Sequence, residues 1–222
     1  GIFKPFAYLR GKEDFPELEV FATHLVHGFD RYTGLILAKD DGKTNYLKDL
    51  KGKDFLFVKP GSTSGFYYPR GIFRENDLNI DSAFFNYDFS YSHEISLEKL
   101  QVGEVDGVAI STEDFGTIED MNLQGLRILE RFEVPYHAYV LRPGLEEQTS
   151  NTVMQALLSA ARDMQGKTLF NNPLGITGWS SVNDSYYNYL RRYLWLVRVK
   201  PQVVLEFDVK ESALDYLNQK GD

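Results

Sequence analysis

At 222 residues, 43% of them hydrophobic and 14% aromatic, the chain is long enough for one large domain or two small lobes around a sizeable core. A net charge of −8 with no basic stripe argues against nucleic acid as a partner, and any anionic ligand must be held by local geometry against the field of the whole molecule. The chain has no cysteine, which removes disulfides and thiolate metal sites, and no stretch of it reads as a signal peptide or a membrane span.

Residues 1–9 are apolar and aromatic and read as the end of a strand running into a helix or loop. Leu18 to Leu25 is a second, mixed strand. His24 and His27 stand three apart, but no carboxylate at ligand spacing completes a metal site, so both read as structural or surface histidines. Tyr32 to Lys39 is a strand, broken by the turn residues Asp40-Asp41-Gly42-Lys43. Leu47 to Lys53 is a short helical turn ended by Gly52, and Phe55-Leu56-Phe57-Val58 is a buried strand.

That strand runs into Pro60-Gly61-Ser62-Thr63-Ser64-Gly65-Phe66, the most informative stretch of the chain. Two glycines let the backbone turn sharply and approach a ligand, and three consecutive hydroxyls can each donate a hydrogen bond. The first N–H groups of a following helix lack partners and carry partial positive charge. Together these suit an oxyanion held by neutral donors. A P-loop needs lysine after its second glycine, and Phe66 stands there. The hydrolase elbow fits only with Thr63 as nucleophile, a poor one without a base beside it. Pro69 lies too deep in the next helix to be its first residue, so that helix is expected to be short or kinked.

Phe84-Phe85 opens a further β-like run. Ser92 caps a helix through Leu100 that ends at Gly103, which puts His93 at a second helix N-terminus. Val108 to Ser111 is a buried strand, and Thr112-Glu113-Asp114 leaves its carboxyl end, where α/β proteins place ligand groups. Leu126 to Val134 and Ala138 to Leu141 are strands broken at Pro135, and Thr152 to Met164 has helical spacing. Asn183 or Asp184 caps a helix running to Leu194, and a strand at Val203–Leu205 and a helix at Ala213–Leu217 follow. Strands alternate with helices, so the class is α/β, and the candidate ligand groups cluster after strand ends, as in a cleft.

Asp49-Leu50-Lys51-Gly52-Lys53, the Pro60–Phe66 loop with Pro69, Ser92-His93-Glu94 and Gly103-Glu104-Val105-Asp106-Gly107 together resemble one family. It is the phosphate/phosphite/phosphonate-binding proteins of ABC transporters, of the type II periplasmic-binding-protein fold. The similarity is most specific over 44–114 and extends more weakly from Tyr8 to Leu194; residues 195–222 lie beyond it. The resemblance implies a two-lobed α/β clamshell, with one lobe at 44–125 and the other combining 1–43 with 126–222. The chain would cross between lobes near Lys39–Lys43 and around Leu126–Val134. The family's opening strand–helix–strand portion has no counterpart before Gly1, so the chain is expected to be a fragment or its first lobe to be reduced. Carried over residue by residue, the resemblance gives Ser62, Thr63, Ser64 and His93 the phosphonate oxygens and makes Tyr8 a cleft-lining aromatic. Glu113 matches the first of two carboxylates that hold an ammonium in aminoalkylphosphonate binders, and His137 stands at the second.

The implied protein is a periplasmic or extracytoplasmic solute-binding protein without a cofactor. It would close on a small anion (phosphonate, phosphite or phosphate) and pass it to an ABC permease. A sensory domain of the same fold, signalling to a partner, is the alternative, and a hydrolase using Thr63 or a serine with His93 as base is a third. No lysine or arginine belongs to the loop or the matched cleft positions, so His93 is expected to supply the positive charge. A bound oxyanion would then raise its pKa and draw in a proton.

Overall fold

The structure, a computed structural model, describes residues 1–83, 86–163 and 175–196. In chain order it contains β1 (Ile2–Phe3), α1 (Pro5–Asp14), β2 (Glu19–Val26), β3 (Arg31–Lys39), β4 (Asp54–Phe57), α2 (Tyr68–Glu75), α3 (Ile80–Ala83) and β5 (Asn86–Phe89). There follow α4 (His93–Val102), β6 (Gly107–Ser111), β7 (Leu126–Pro135), β8 (Ala138–Leu141), α5 (Glu147–Asp163), β9 (Ile176–Ser181) and α6 (Asn188–Leu196). The strand and helix expected at Val203–Leu205 and Ala213–Leu217 lie outside the described residues, as do Phe84 and Phe85.

The strands form two sheets. The smaller has the order β1-β8-β2-β9 and is antiparallel throughout. The larger has the order β5-β4-β6-β3-β7, with β4 parallel to both β5 and β6, and β3 antiparallel to both β6 and β7. Strand alternation explains how the larger sheet is buried on both faces. Ile36, Ala38, Phe55, Phe57 and Ala109 point into one core, while Leu35, Leu37, Leu56, Val108 and Ile110 point into the other with Leu97 and Leu100 of α4. The first core also takes in Phe6 and Leu9 of α1 and Ala138 and Val140 of β8, so it is shared between the sheets. Burying one such side chain stabilises by about 1.5–3 kcal/mol.

The division between the two sheets does not coincide with the lobe boundaries expected at 43/44 and 125/126. Both β3 and β7, assigned to the first lobe from sequence, pair along most of their length inside the larger sheet, for example Leu35↔Ile110 and Thr33↔Glu133. The chain passes between sheets at His27–Asp30, ahead of the crossing expected at Lys39–Lys43, and at Tyr136–His137, just after the one expected around Leu126–Val134. The first passage is a tight turn in which His27 and Gly28 both have positive φ, 51° and 84°.

The segment after β4 resolves the expectation about Pro69. Thr63–Tyr67 forms a wide helical turn, with the Tyr67 N–H bonding the Ser62 carbonyl at 2.9 Å, and α2 starts afresh at Tyr68 with Pro69 in its first turn. Pro69 has no N–H to give the Gly65 carbonyl, and that carbonyl accepts from the Val58 N–H at 3.0 Å instead. The helix is accordingly short, at eight residues.

Candidate functional site

Strand directions gather the site at one edge of the larger sheet. The carboxyl ends of β4, β5, β6 and β7 and the start of antiparallel β3 lie at that edge, and Lys4 and His137 approach from the smaller sheet. Between them is a cavity of about 190 Å³. Ser62, Thr63, Ser64, His93, Glu113 and His137, predicted from sequence, all line it. Two larger depressions, of about 870 and 650 Å³, run along α5 and take in none of the residues predicted from sequence.

The hydroxyl loop is built by local constraints. Gly61 turns the chain with φ of 95°. Gly65 is required by space, because a Cβ there would sit 2.5 Å from the Val58 Cβ. The Ser62 Oγ accepts the Gly65 N–H at 3.0 Å and keeps its own hydrogen to donate. The Ser64 Oγ lies 3.4 Å from the Tyr32 hydroxyl. Thr63 is only 3% exposed, and its Oγ1 has no hydrogen-bond partner among the described residues. A buried hydroxyl left in that state costs about 1–3 kcal/mol, so it is a group in want of a ligand.

His93 opens α4 behind the Ser92 cap, whose Oγ accepts the Ile95 N–H at 3.3 Å. The ring is buried, and its Nδ1 accepts the Ser111 backbone N–H at 3.0 Å. In the neutral ring that bond places the hydrogen on Nε2. Burial holds the imidazole well below its ordinary range; Lys59 and Lys4 add to this, and Asp114 opposes it. The ring is therefore neutral here, and the charge expected of it with an anion bound would need a second ring hydrogen, at the cost of the bond from Ser111.

The positive charge comes instead from Lys4 and Lys59, both of which line the cavity. Lys59 stands one residue before the predicted loop; Lys4 gives no sequence signal, because only the packing of α1 brings it in. Asp114, next to Glu113 in the turn noted from sequence, lines the cavity too, as do Tyr32 and Tyr91, which the sequence reading missed. Tyr91 holds a strained left-handed backbone, φ 61°, at the mouth, with its ring largely exposed.

Glu113 sits in the single turn after β6. Protein around the carboxyl pushes its pKa up to about 6 by burial first and then by Asp114, against Lys4 and Lys59. Glu113 is nonetheless an exposed residue. His137 stacks on the buried His24 at 5.3 Å between ring centres. Burial and His137 hold His24 down at about 3, so it is neutral. Among the described residues no group of three or more metal-ligating side chains comes together.

Tyr8 is a correction. It is fully buried away from the cavity, and its hydroxyl donates to Asp184 Oδ1 at 2.6 Å while its ring packs on Tyr187. It fastens α1 to the turn before α6. Lys4, just ahead of α1, and Pro5, its first residue, reach the cavity instead.

The family described as "ABC transporter, phosphonate, periplasmic substrate-binding protein" matches residues 1–187. The Phosphate-import protein PhnD of Mycolicibacterium smegmatis is 37% identical over 92 residues, a stretch spanning 38% of this chain and 28% of that protein. The fold is similar to XAC2383 from Xanthomonas citri bound to ATP, with a TM-score of 0.69 and 19% identity over 88% of this chain and 74% of that one. It is similar to a binding protein component of an ABC phosphonate transporter from Pseudomonas aeruginosa, at TM-score 0.59 and 22% identity over 88% and 68%. It is also similar to PhnD1 from Prochlorococcus marinus in complex with methylphosphonate, at TM-score 0.62 and 16% identity over 87% and 76%. At these identities the solved structures speak for the fold: a mixed α/β arrangement of the periplasmic-binding-protein type.

Proposed function

Because the chain belongs to the periplasmic substrate-binding family of ABC phosphonate transporters, we propose that it captures a small phosphorus oxyanion or phosphonate in the cavity between the Ser62–Ser64 loop and His93. The observation that carries this is the Thr63 Oγ1, buried without a partner between two serines. Ser62, Thr63, Ser64 and the His93 Nε2–H give four donors for phosphoryl oxygens. Lys4 and Lys59 offset the negative field of the whole protein at this point. Groups from both sheets meet at the cavity, so a bound anion would be held from both sides and would favour closure of the cleft. Its role would be delivery to an ABC permease outside the cytoplasm; among the described residues no helix is long and apolar enough to cross a membrane.

No chemistry on the ligand is part of this proposal. With its Nδ1 occupied by Ser111 and a hydrogen on Nε2, neutral His93 has no lone pair left to take a proton from Thr63. The sensing alternative gains no support from the matched family. A thermal-shift panel of phosphate, phosphite, methylphosphonate, 2-aminoethylphosphonate and sulfate tests the assignment. A ligand that binds only the folded form adds about 2.7 kcal/mol at one hundred times its dissociation constant, so at least one phosphorus compound should raise the melting temperature visibly. Silence across all four would refute it.

A further inference from the structure

Two short passages carry the chain between the sheets, and one further segment touches both of them. The turn Asp184–Tyr187, which leads into α6, sets two tyrosines side by side, with ring centres 5.0 Å apart. The Tyr186 hydroxyl donates to the Asp30 carbonyl of the first passage at 3.0 Å. The Tyr187 hydroxyl reaches the Tyr136 carbonyl of the second at 3.5 Å. The same Asp30 carbonyl accepts the Tyr136 N–H at 3.1 Å, so the two passages are also bonded to each other. Beside them Arg31, the first residue of β3, lies over the Tyr186 and Tyr189 rings, 4.8 and 4.9 Å from their centres. Asp30, Tyr186, Tyr187 and Tyr189 all stand outside the cavity lining.

The segment is anchored at both ends. Asp184 Oδ1 accepts the Tyr8 hydroxyl of α1 at 2.6 Å, and the Tyr187 ring packs on Tyr8. At the other end α6 lies on α2. The Tyr193 ring meets Tyr68 at 4.5 Å, a Cβ on Gly71 would run into it, and Arg192 pairs with Glu75. These two helices each follow cavity groups in the chain: Lys4 stands just ahead of α1, and the Ser62–Ser64 loop just ahead of α2. A hinge turns by changing φ and ψ in its passages, and this swings their carbonyls. A hydroxyl held by a third segment fits one setting of those dihedrals, and in the setting described groups from both sheets enclose a cavity of about 190 Å³. We infer that Tyr186, with Tyr187 beside it, is a positioning residue for ligand capture: its bond to the Asp30 carbonyl favours the closed cleft and raises affinity without touching the ligand, given the anion-site assignment proposed above. Apparent affinity scales with the fraction of protein in the competent form, so a remote bond of this kind is read out directly in binding.

Calorimetric and stopped-flow titrations of methylphosphonate into the wild type, Tyr186→Phe and Tyr189→Phe test this. Phenylalanine keeps each ring over Arg31 and removes only the hydroxyl. The Tyr189 hydroxyl is buried with no partner among the described residues, so Tyr189→Phe is the internal control. Tyr186→Phe should weaken binding about two- to tenfold, the loss expected for one neutral hydrogen bond, chiefly through faster dissociation. Tyr189→Phe should bind as the wild type does. A merely structural role would lower the melting temperature of Tyr186→Phe and leave the affinity and dissociation rate of the folded protein unchanged; that result overturns the inference. Equal losses in the two variants would overturn it too, by assigning the effect to ring packing. If Tyr186→Phe folds poorly, hydrogen exchange on the wild type decides. The Tyr136 amide, bonded to the same Asp30 carbonyl, should exchange at least about twofold more slowly at saturating methylphosphonate, and an unchanged rate would contradict the proposal. Methylphosphonate binding equally to the wild type and Tyr186→Phe refutes the role of Tyr186 alone. Absence of binding to the wild type by phosphate, phosphite and both phosphonates refutes the anion-site assignment with it.

Discussion

Burial keeps the His93 ring neutral, and the backbone N–H that Ser111 donates to its Nδ1 decides which nitrogen carries the hydrogen. The Ser111 bond leaves Nε2–H as a neutral donor on the cavity wall, 3.5 Å from the Ser111 Oγ. Protonation at Nδ1 would cost the bond and add charge to a buried ring, so the folded pKa lies below the reference of about 6.5. The sign follows: between about pH 5.5 and 8.5 the ring stays neutral with or without ligand, and His93 contributes no proton uptake. His93→Gln should therefore weaken methylphosphonate binding about tenfold, one lost hydrogen bond to a charged group, and leave the pH slope of affinity as in the wild type. Titrations in two buffers of different ionisation enthalpy measure both quantities. A wild-type proton uptake that disappears in His93→Gln would return the charge to the histidine.

Among the elements, those with strong local signals were legible in the sequence. Ser92 and Gly103 bound α4 as expected because cap and left-handed glycine are local devices, and the buried runs at Phe55–Val58 and Val108–Ser111 became β4 and β6. The hydroxyl loop was legible for the same reason, since three hydroxyls between two glycines state their chemistry within seven residues. What escaped depends on how elements pack. Tyr8 was placed at the cleft by resemblance, but the face that α1 turns inward is fixed by Asp184 and Tyr187, some 176 residues away along the chain. Lys4 enters the site for the mirror reason, standing just ahead of that helix. The division between sheets escaped because β3 and β7 read as strands from sequence but their partners do not, and pairing alone assigns them to the larger sheet. The wide turn at Thr63–Tyr67 was foreshadowed only by the position of Pro69.

Across the whole molecule, the site lies where the two sheets meet, and the chain passes between them at His27–Asp30 and Tyr136–His137. Closure around a ligand would turn on these short passages. Small-angle scattering should show a smaller radius of gyration at saturating methylphosphonate; an unchanged curve would mean that this chain binds without closing. A protein of net charge −8 that takes up an anion must depend on a few local donors. Of the three loop hydroxyls, Thr63 is the one without a hydrogen-bond partner among the described residues. Calorimetric titration of methylphosphonate into wild type and Thr63→Val therefore tests the central claim most directly. Valine keeps the shape and removes the hydroxyl. The predicted result is one ligand per chain in the wild type and affinity lowered ten- to a hundredfold in the variant, about 1.5–3 kcal/mol for a hydrogen bond to a charged group. Equal affinity in both proteins would contradict it.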